Sequence, residues 1–292
     1  MGREAMRRIL TERKHPMRYG FVMPFGDART IAQAALMAEE VGWDGIFVWE
    51  PVWGVDAWVA LAAAAMVTQH IRLGTMLSPI ARMRPWKLAS ETATLDNLSD
   101  GRVNLAVGLG APDTGYVAFG EVIDRKLRAE LTDEGLAILT GLWAGQPFAF
   151  QGKHYTIKPT NFNPPPPPVQ QPRIPIWVVG VWPSEKSMQR VLLYDGLLPS
   201  VLGLDGKTHQ ASPEEVREMA AYVAERRTLP TRFDIVVEGQ TPGDDQVGAV
   251  EQVAPWIEAG ATWWIETMWE IPNTPAGLAT VRQRIAQGPP RA

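Results

Sequence analysis

The feature that most constrains this chain is a repeat in which a short apolar run is followed by a helical pattern, eight times over. Residues 18–24 (RYGFVMP), 44–50 (DGIFVWE), 71–77 (IRLGTML) and 103–108 (VNLAVG) are the first four strand-like runs. Residues 176–180 (IWVVG), 194–200 (YDGLLPS), 233–238 (FDIVVE) and 262–267 (TWWIET) are the second four. Strand starts in the first half recur roughly every 26–32 residues, the length of a βα unit with short loops. Runs that are apolar throughout, without alternation, belong to a parallel sheet covered on both faces. Eight such units close a (β/α)8 TIM barrel, which needs about 250 residues. The expected organisation is therefore a flexible tail at residues 1–16 and one barrel domain over 17–292. An open doubly wound sheet is the fallback.

Helices fill the intervals. Asp27 suits an N-cap, with Ile31, Ala34, Ala35 and Ala38 behind it at helical spacing. Further helices are expected at 56–68, 85–98, 128–143, 212–227, 246–258 and 274–287. The repeat breaks after the fourth strand, where an insertion covers about residues 111–174. It carries a loop (111–121), the helix at 128–143 and a small hairpin arm at 151–155. It closes on residues 163–175 (NPPPPPVQQPRIP). Five consecutive prolines cannot enter a helix interior or a central strand, so they read as a stiff extended connector, with a peptide-recognition motif as the alternative.

Composition removes several classes. With no cysteine in the chain, disulfides and thiolate metal sites are excluded, and a reducing cytoplasm fits. A formal net charge of −4 without a long basic stretch argues against nucleic acid. No apolar run suits a membrane span, and the basic first residues lack the core of a secretory signal.

Reactive groups of a barrel sit at the C-terminal strand ends. Those ends hold no histidine pair for a metal and no lysine for Schiff-base chemistry, so metal-dependent hydrolysis and aldol chemistry are disfavoured. Glu50, Glu238 and Glu266 form a candidate carboxylate set of the kind glycoside hydrolysis uses; alternatively they cap loops and orient amides. Gly108 and Gly110 suit close approach of a flat ring to backbone. They do not make a dinucleotide fingerprint, because position 113 is Asp and a loop follows. Phe25, Trp49, Trp53, Trp182 and Trp269 fall at or just beyond strand ends. They form a candidate substrate pocket for a large, flat, apolar ligand, packing being the alternative for each tryptophan.

Residues 71–112 (IRLGTMLSPIARMRPWKLASETATLDNLSDGRVNLAVGLGAP) resemble the luciferase-like monooxygenase family. The shared pattern is a strand ending in Gly-Thr, a Pro-initiated helix, a Leu-Asp-x-Leu-Ser-x-Gly-Arg turn and a strand ending in Gly-x-Gly. GWDGIFVWE, YVAFGE, FQGKHY, PPVQQPRIPIWVVG and YDGLLPS add to the likeness. Residues 95–102 read as a glycine-terminated cap and turn, with Arg102 reaching the barrel's far face.

The resemblance implies an oxidoreductase with FMN, or alternatively coenzyme F420. Its ring would lie across Thr75, Met76, Leu77, Ser78, Gly108 and Gly110, with a non-proline cis peptide at 75–76 or 76–77. It places the cofactor phosphate near residues 180–187, where Gly180, Val181, Ser184 and Ser187 offer amides and hydroxyls at a helix start. Many members carry Asp-His after the second strand; here the pair is Glu50-Pro51, which leaves Glu50 as the candidate catalytic group. His15, His70, His154 and His209 are not convincing substitutes. The leading expectation is a monooxygenase using reduced FMN and oxygen on a small organic substrate, with a separate flavin reductase. Hydride transfer with F420, and a flavin-binding protein without turnover, are the alternatives. The resemblance also favours a homodimer.

Overall fold

The computed structural model describes residues 16–160 and 163–291. Most of the expected tail, residues 1–15, lies outside them. The described elements run β1 (Arg18–Met23), α1 (Ala28–Glu40), β2 (Gly45–Val48), α2 (Ala57–Ala65), β3 (Arg72–Thr75) and a two-residue β4 (Ser78–Pro79). A 3-10 turn (Ile80–Arg82), α3 (Pro85–Leu98), β5 (Val103–Gly108), α4 (Tyr116–Phe119) and α5 (Arg125–Ala144) follow. Next come the β6 (Phe148–Gln151) and β7 (Thr156–Thr160) hairpin, β8 (Ile176–Trp182), α6 (Glu185–Leu192), β9 (Gly196–Leu202) and β10 (Thr208–Gln210). The chain ends with α7 (Pro213–Arg226), β11 (Asp234–Gly239), α8 (Gln246–Ala259), β12 (Trp263–Glu266) and α9 (Pro275–Ala286). All eight expected strands are present. The expected arm at 151–155 is instead the end of β6 and the turn of a longer hairpin.

The hydrogen-bonded order is β9-β11-β12-β1-β2-β3-β5, and β8 pairs with both β5 and β9, which defines the (β/α)8 barrel. Cα-contact clustering divides the chain into two compact units. The first holds the residues up to 25, 37–46 and those from 177 onward; the second holds 26–36 and 47–176.

In the first unit β1 and β11 flank β12 in parallel register, and Trp177 meets Trp263 edge-on at 5.2 Å. Its helices start by local rules: Ser212 and Glu215 form a reciprocal capping box for α7. Glu266, fully buried, accepts from the Thr241 amide (2.7 Å), the Thr241 hydroxyl (2.8 Å), the Trp264 indole (3.1 Å) and Arg284 Nε (3.1 Å).

In the second unit β3 and β5 run in parallel. Asp27 and Asp56 cap α1 and α2 through the Thr30 and Val59 amides. The hairpin is pinned to α5 by Glu134, which accepts the Lys153, His154 and Tyr155 amides at 2.7, 3.0 and 2.9 Å. Glu130, held down to about 2 by Lys153 and His154, adds two side-chain contacts.

The turn after α3 is the polar knot of this unit. Ser99 and Gly101 amides close on the Leu95 and Asp96 carbonyls at 2.9 and 2.8 Å, with Asp100 and Gly101 at positive φ. Arg102 donates to Ser99 O (2.7 Å), Thr68 Oγ1 (2.8 Å), Thr68 O (3.0 Å), Ile71 O (3.1 Å) and Ala65 O (3.1 Å). Asp96 receives the Gln170 amide and side chain at 3.1 and 2.7 Å. Asn97 donates to Pro167 O at 2.9 Å, so the proline-rich segment is docked on this turn. We predict that Arg102→Met lowers unfolding free energy by about 3 kcal/mol or more, since it orphans several buried acceptors at once. Arg102→Lys should recover only part of it, because one ammonium cannot span the same fork. Urea unfolding midpoints of the three proteins check both statements.

Candidate active site

The C-terminal ends of β2, β3 and β5 converge within the second unit. The Met76 amide donates to Val48 O at 2.8 Å, joining the first two. The Met76-Leu77 peptide is cis, at one of the two bonds expected. Met76 is buried and Leu77 half-buried.

Glu50 lies beside this turn. Ser78 Oγ is 2.5 Å from Glu50 Oε2 and 3.0 Å from Thr75 Oγ1, and Thr75 Oγ1 is 3.3 Å from Ala106 O. Thr75 and Ser78 are fully buried. Their hydroxyls therefore serve the carboxyl and each other. Burial raises the Glu50 carboxyl from its ordinary 4.5 to about 7, against the pull of the Ser78 hydroxyl and the Arg82 guanidinium; Asp56 and Glu91 push the same way as burial.

Three residues outside the expected set belong to the same place. Arg82 donates to the Glu50 and Pro51 carbonyls, both at 2.7 Å, and so fixes the loop that carries the carboxyl. Arg128 donates to the Leu109 and Gly110 carbonyls at 2.8 and 2.9 Å. Tyr116 lies under Arg128, with the guanidinium 5.8 Å from its ring. Arg82 Nε, Arg128 Nε and Tyr116 Oη are buried without a hydrogen-bond partner. Burial raises the Tyr116 phenol, and Arg82 beside it lowers it in part. A signal for Arg128 was available: it shares the buried α5 face with Thr132, Gly135, Leu136 and Leu139. A charged residue on such a stripe marks a demand for buried donors.

Gly108 and Gly110 end β5 as expected, but the protein itself explains Gly110. It sits at φ +73°, and a Cβ there would strike the Tyr116 hydroxyl and Pro79. Trp49 borders Glu50, and Trp53 lies on the following loop, 83 % exposed.

The remaining expected residues fall in the first unit. A Cβ at Gly180 would collide with Leu197, Val191 and Met188, so packing requires that glycine. The Val181 amide donates to Ser187 Oγ at 2.9 Å. Ser184 precedes α6 without a side-chain cap, and Glu185 occupies the first turn. Trp182 donates to Glu218 at 3.2 Å and meets Tyr222 edge-on. Trp269 donates to Glu238 Oε2 at 3.3 Å, and burial raises the Glu238 carboxyl against that bond. Phe25 follows β1, half-buried. Of the candidate carboxylates, Glu266 is consumed by structure, whereas Glu50 and Glu238 hold raised carboxyls.

With this geometry in place, comparison with known proteins identifies the chain as a member of the luciferase-like monooxygenase family, whose model matches residues 9–287. An uncharacterized protein, Rv0953c, of Mycobacterium tuberculosis is 32% identical over 223 residues, 76% of this chain and 71% of its own. Rv3520c of the same organism, provisionally named a coenzyme F420-dependent oxidoreductase, is 33% identical over 131 residues, 44% of this chain and 37% of its own. Among solved structures, monooxygenase RslO1 from Streptomyces bottropensis superposes with a TM-score of 0.69 at 20% identity, covering 93% of this chain and 98% of its own. That likeness concerns the fold. Among the described residues no helix is long and apolar enough to cross a membrane.

Because the folded-state value of Glu50 lies above that of an exposed glutamate, the folded chain holds a proton that the unfolded chain releases. Its contribution to stability is greatest below about 4.5, falls as pH rises and levels above about 7. Glu50→Gln removes this dependence. The stability of the variant minus that of wild type should therefore grow by about 3 kcal/mol between pH 4.5 and 8. Denaturant titrations across that range read it directly.

Proposed function

We propose that this protein is an oxidoreductase that uses a flavin-type cofactor on a small organic molecule, with Glu50 exchanging the proton that accompanies the redox step. The observation that carries the proposal is a half-buried carboxyl, raised to about 7 and held by the Ser78 hydroxyl, just beyond β2. A general acid or base works best when its own value lies near the working pH.

The donor set at the β3 and β5 ends fits such a ring. Arg82 Nε, Arg128 Nε and Tyr116 Oη supply unmet buried polar atoms, which carbonyl and imide edges satisfy, and Met76 and Leu77 supply apolar contact. When bound, the cofactor supplies the hydride or the activated oxygen. The chain binds and orients it, excludes water, and holds a proton on Glu50. The Ser184 hydroxyl and the α6 amides, considered by themselves, suit a phosphate.

Between the two chemistries, hydride transfer with F420 has the stronger support. Moving a hydride to or from a carbon–oxygen bond requires a proton at the oxygen in the same event, which is what a neutral Glu50 provides. The provisional name of Rv3520c points the same way. Oxygen chemistry with reduced FMN, supplied by a separate reductase, is the second reading, favoured by the apolar residues Trp49 and Leu77 beside the carboxyl.

Fluorescence titration of the purified protein with FMN and with F420 separates them: the expected result is binding of F420 below about 100 μM and weaker binding of FMN. Failure of both to bind overturns the proposal. Glu50→Gln is expected to lower turnover by about 100-fold while changing cofactor affinity less than threefold.

A further inference from the structure

The contacts from Glu50 to Ala106 form a chain of three links: Glu50 Oε2 to Ser78 Oγ at 2.5 Å, Ser78 Oγ to Thr75 Oγ1 at 3.0 Å, and Thr75 Oγ1 to Ala106 O at 3.3 Å. A backbone carbonyl can only accept. An ionised carboxylate can only accept as well. Between those two ends sit two hydroxyls, each with one hydrogen, and both residues are fully buried.

Counting hydrogens decides how the chain behaves. With Glu50 neutral, three hydrogens serve three links, all pointing the same way: Glu50 to Ser78, Ser78 to Thr75, Thr75 to Ala106. With Glu50 ionised, two hydrogens remain for three links. Ser78 must turn to the carboxylate, and the single Thr75 hydrogen can then serve either Ala106 O or Ser78 Oγ, not both. One of the two links beyond Ser78, at 3.0 or 3.3 Å, is left oxygen against oxygen, with Thr75 and Ser78 both buried. Ionisation gains one short charge-assisted bond and loses one of those two links.

We propose that Ser78 and Thr75 are positioning residues that set the proton occupancy of Glu50 through this chain, the Ser78 hydroxyl turning from Thr75 to Glu50 whenever the carboxyl gives up its proton. The inference rests on the reading of Glu50 as the proton-exchanging group. The two neighbours act with opposite sign. Ser78 steadies the ionised form, since it is the donor to the carboxylate. Thr75 steadies the neutral form, since it is the acceptor that keeps the Ser78 hydrogen occupied when Glu50 holds its own. The charged groups that act on Glu50 are Arg82 from the 3-10 turn, Asp56 at the start of α2 and Glu91 on α3. None of them is part of the hydroxyl chain, so they offset its midpoint equally in wild type and both variants.

The test is the ionisation midpoint of Glu50 in the cofactor-free full chain, followed by its carboxyl infrared band with Glu50→Gln as the subtraction reference. Ser78→Ala should raise the midpoint by about tenfold in proton concentration, and Thr75→Val should lower it by about threefold or more. Thr75→Ser keeps the acceptor and should leave the midpoint within twofold of wild type, which also serves if Thr75→Val folds poorly. Shifts of the same sign in Ser78→Ala and Thr75→Val, no shift in Ser78→Ala, or a shift in Thr75→Ser as large as that of Thr75→Val would overturn the proposal. The readout needs no cofactor and no turnover. A chain that behaves as expected while Glu50→Gln keeps full activity would leave this inference standing and remove the catalytic one.

Discussion

The Arg102 guanidinium is the interaction on which the second unit depends. Strand β5 follows α3 after a turn of only four residues, so the helix end, the turn and the new strand all present backbone carbonyls in a small space. A buried carbonyl without a donor is costly, and no neutral side chain carries donors enough. One planar fork reaches carbonyls from residues 65, 68, 71 and 99 together with the Thr68 hydroxyl. It thereby joins the end of α2, the entry to β3 and the exit from α3. Gln170 completes the arrangement from the connector, receiving Arg72 Nη2 at 2.8 Å while donating to Asp96 and to Val103 O. The stiff prolines before it reduce the entropy lost when that glutamine is placed.

This explains how the most recognisable residues of the chain lie away from the strand ends that hold Glu50, Thr75 and Ser78. The turn at 95–102 fixes where β5 begins; a parallel strand of fixed length then fixes where it ends. The β3–β5 register of Leu73 with Val103 and Gly74 with Asn104 carries that placement upward. Thr75 thereby meets Ala106, and Ser78 meets Val107 in the short β4 pairing. A hydroxyl chain that needs contacts of about 3 Å depends on that register. A slip of one residue would turn Thr75 to the other face.

What the sequence made legible follows from range. Strand and helix positions are local patterns, and residues 85–98 and 103–108 form the helix and strand expected there. Glu50 was legible as a carboxylate at a strand end, next to a proline. Its partners were not, since Ser78 and Thr75 are 28 and 25 positions away and the hydrogen count appears only when the two strands are side by side. Arg82 and Tyr116 were missed for the same reason, whereas Arg128 had a local signal in the buried α5 face it shares with Thr132 and Leu136. The glycines show a different gap. Gly110 was singled out for a ligand's approach, but the space its Cβ would fill belongs to Tyr116 and Pro79. Sequence identifies a position where a side chain is excluded; it does not say what excludes it.

The carboxylates at the strand ends show what separates an acid fixed by its donors from one whose donor can turn away. Glu50 and Glu266 end parallel strands and looked alike in the sequence. Glu266 meets an amide, a hydroxyl, an indole and a guanidinium, four donors aimed at two oxygens, so its accepting capacity is consumed in place. Glu50 meets one hydroxyl that can also give its hydrogen elsewhere, and Arg82 beside it donates to the Glu50 and Pro51 backbone carbonyls. Both of its protonation states can therefore find a hydrogen-bond partner in the same surroundings. Burial alone would raise any carboxyl; an adaptable donor is what lets one change state without the site rearranging. That property belongs to Glu50 because Thr75 stands behind Ser78.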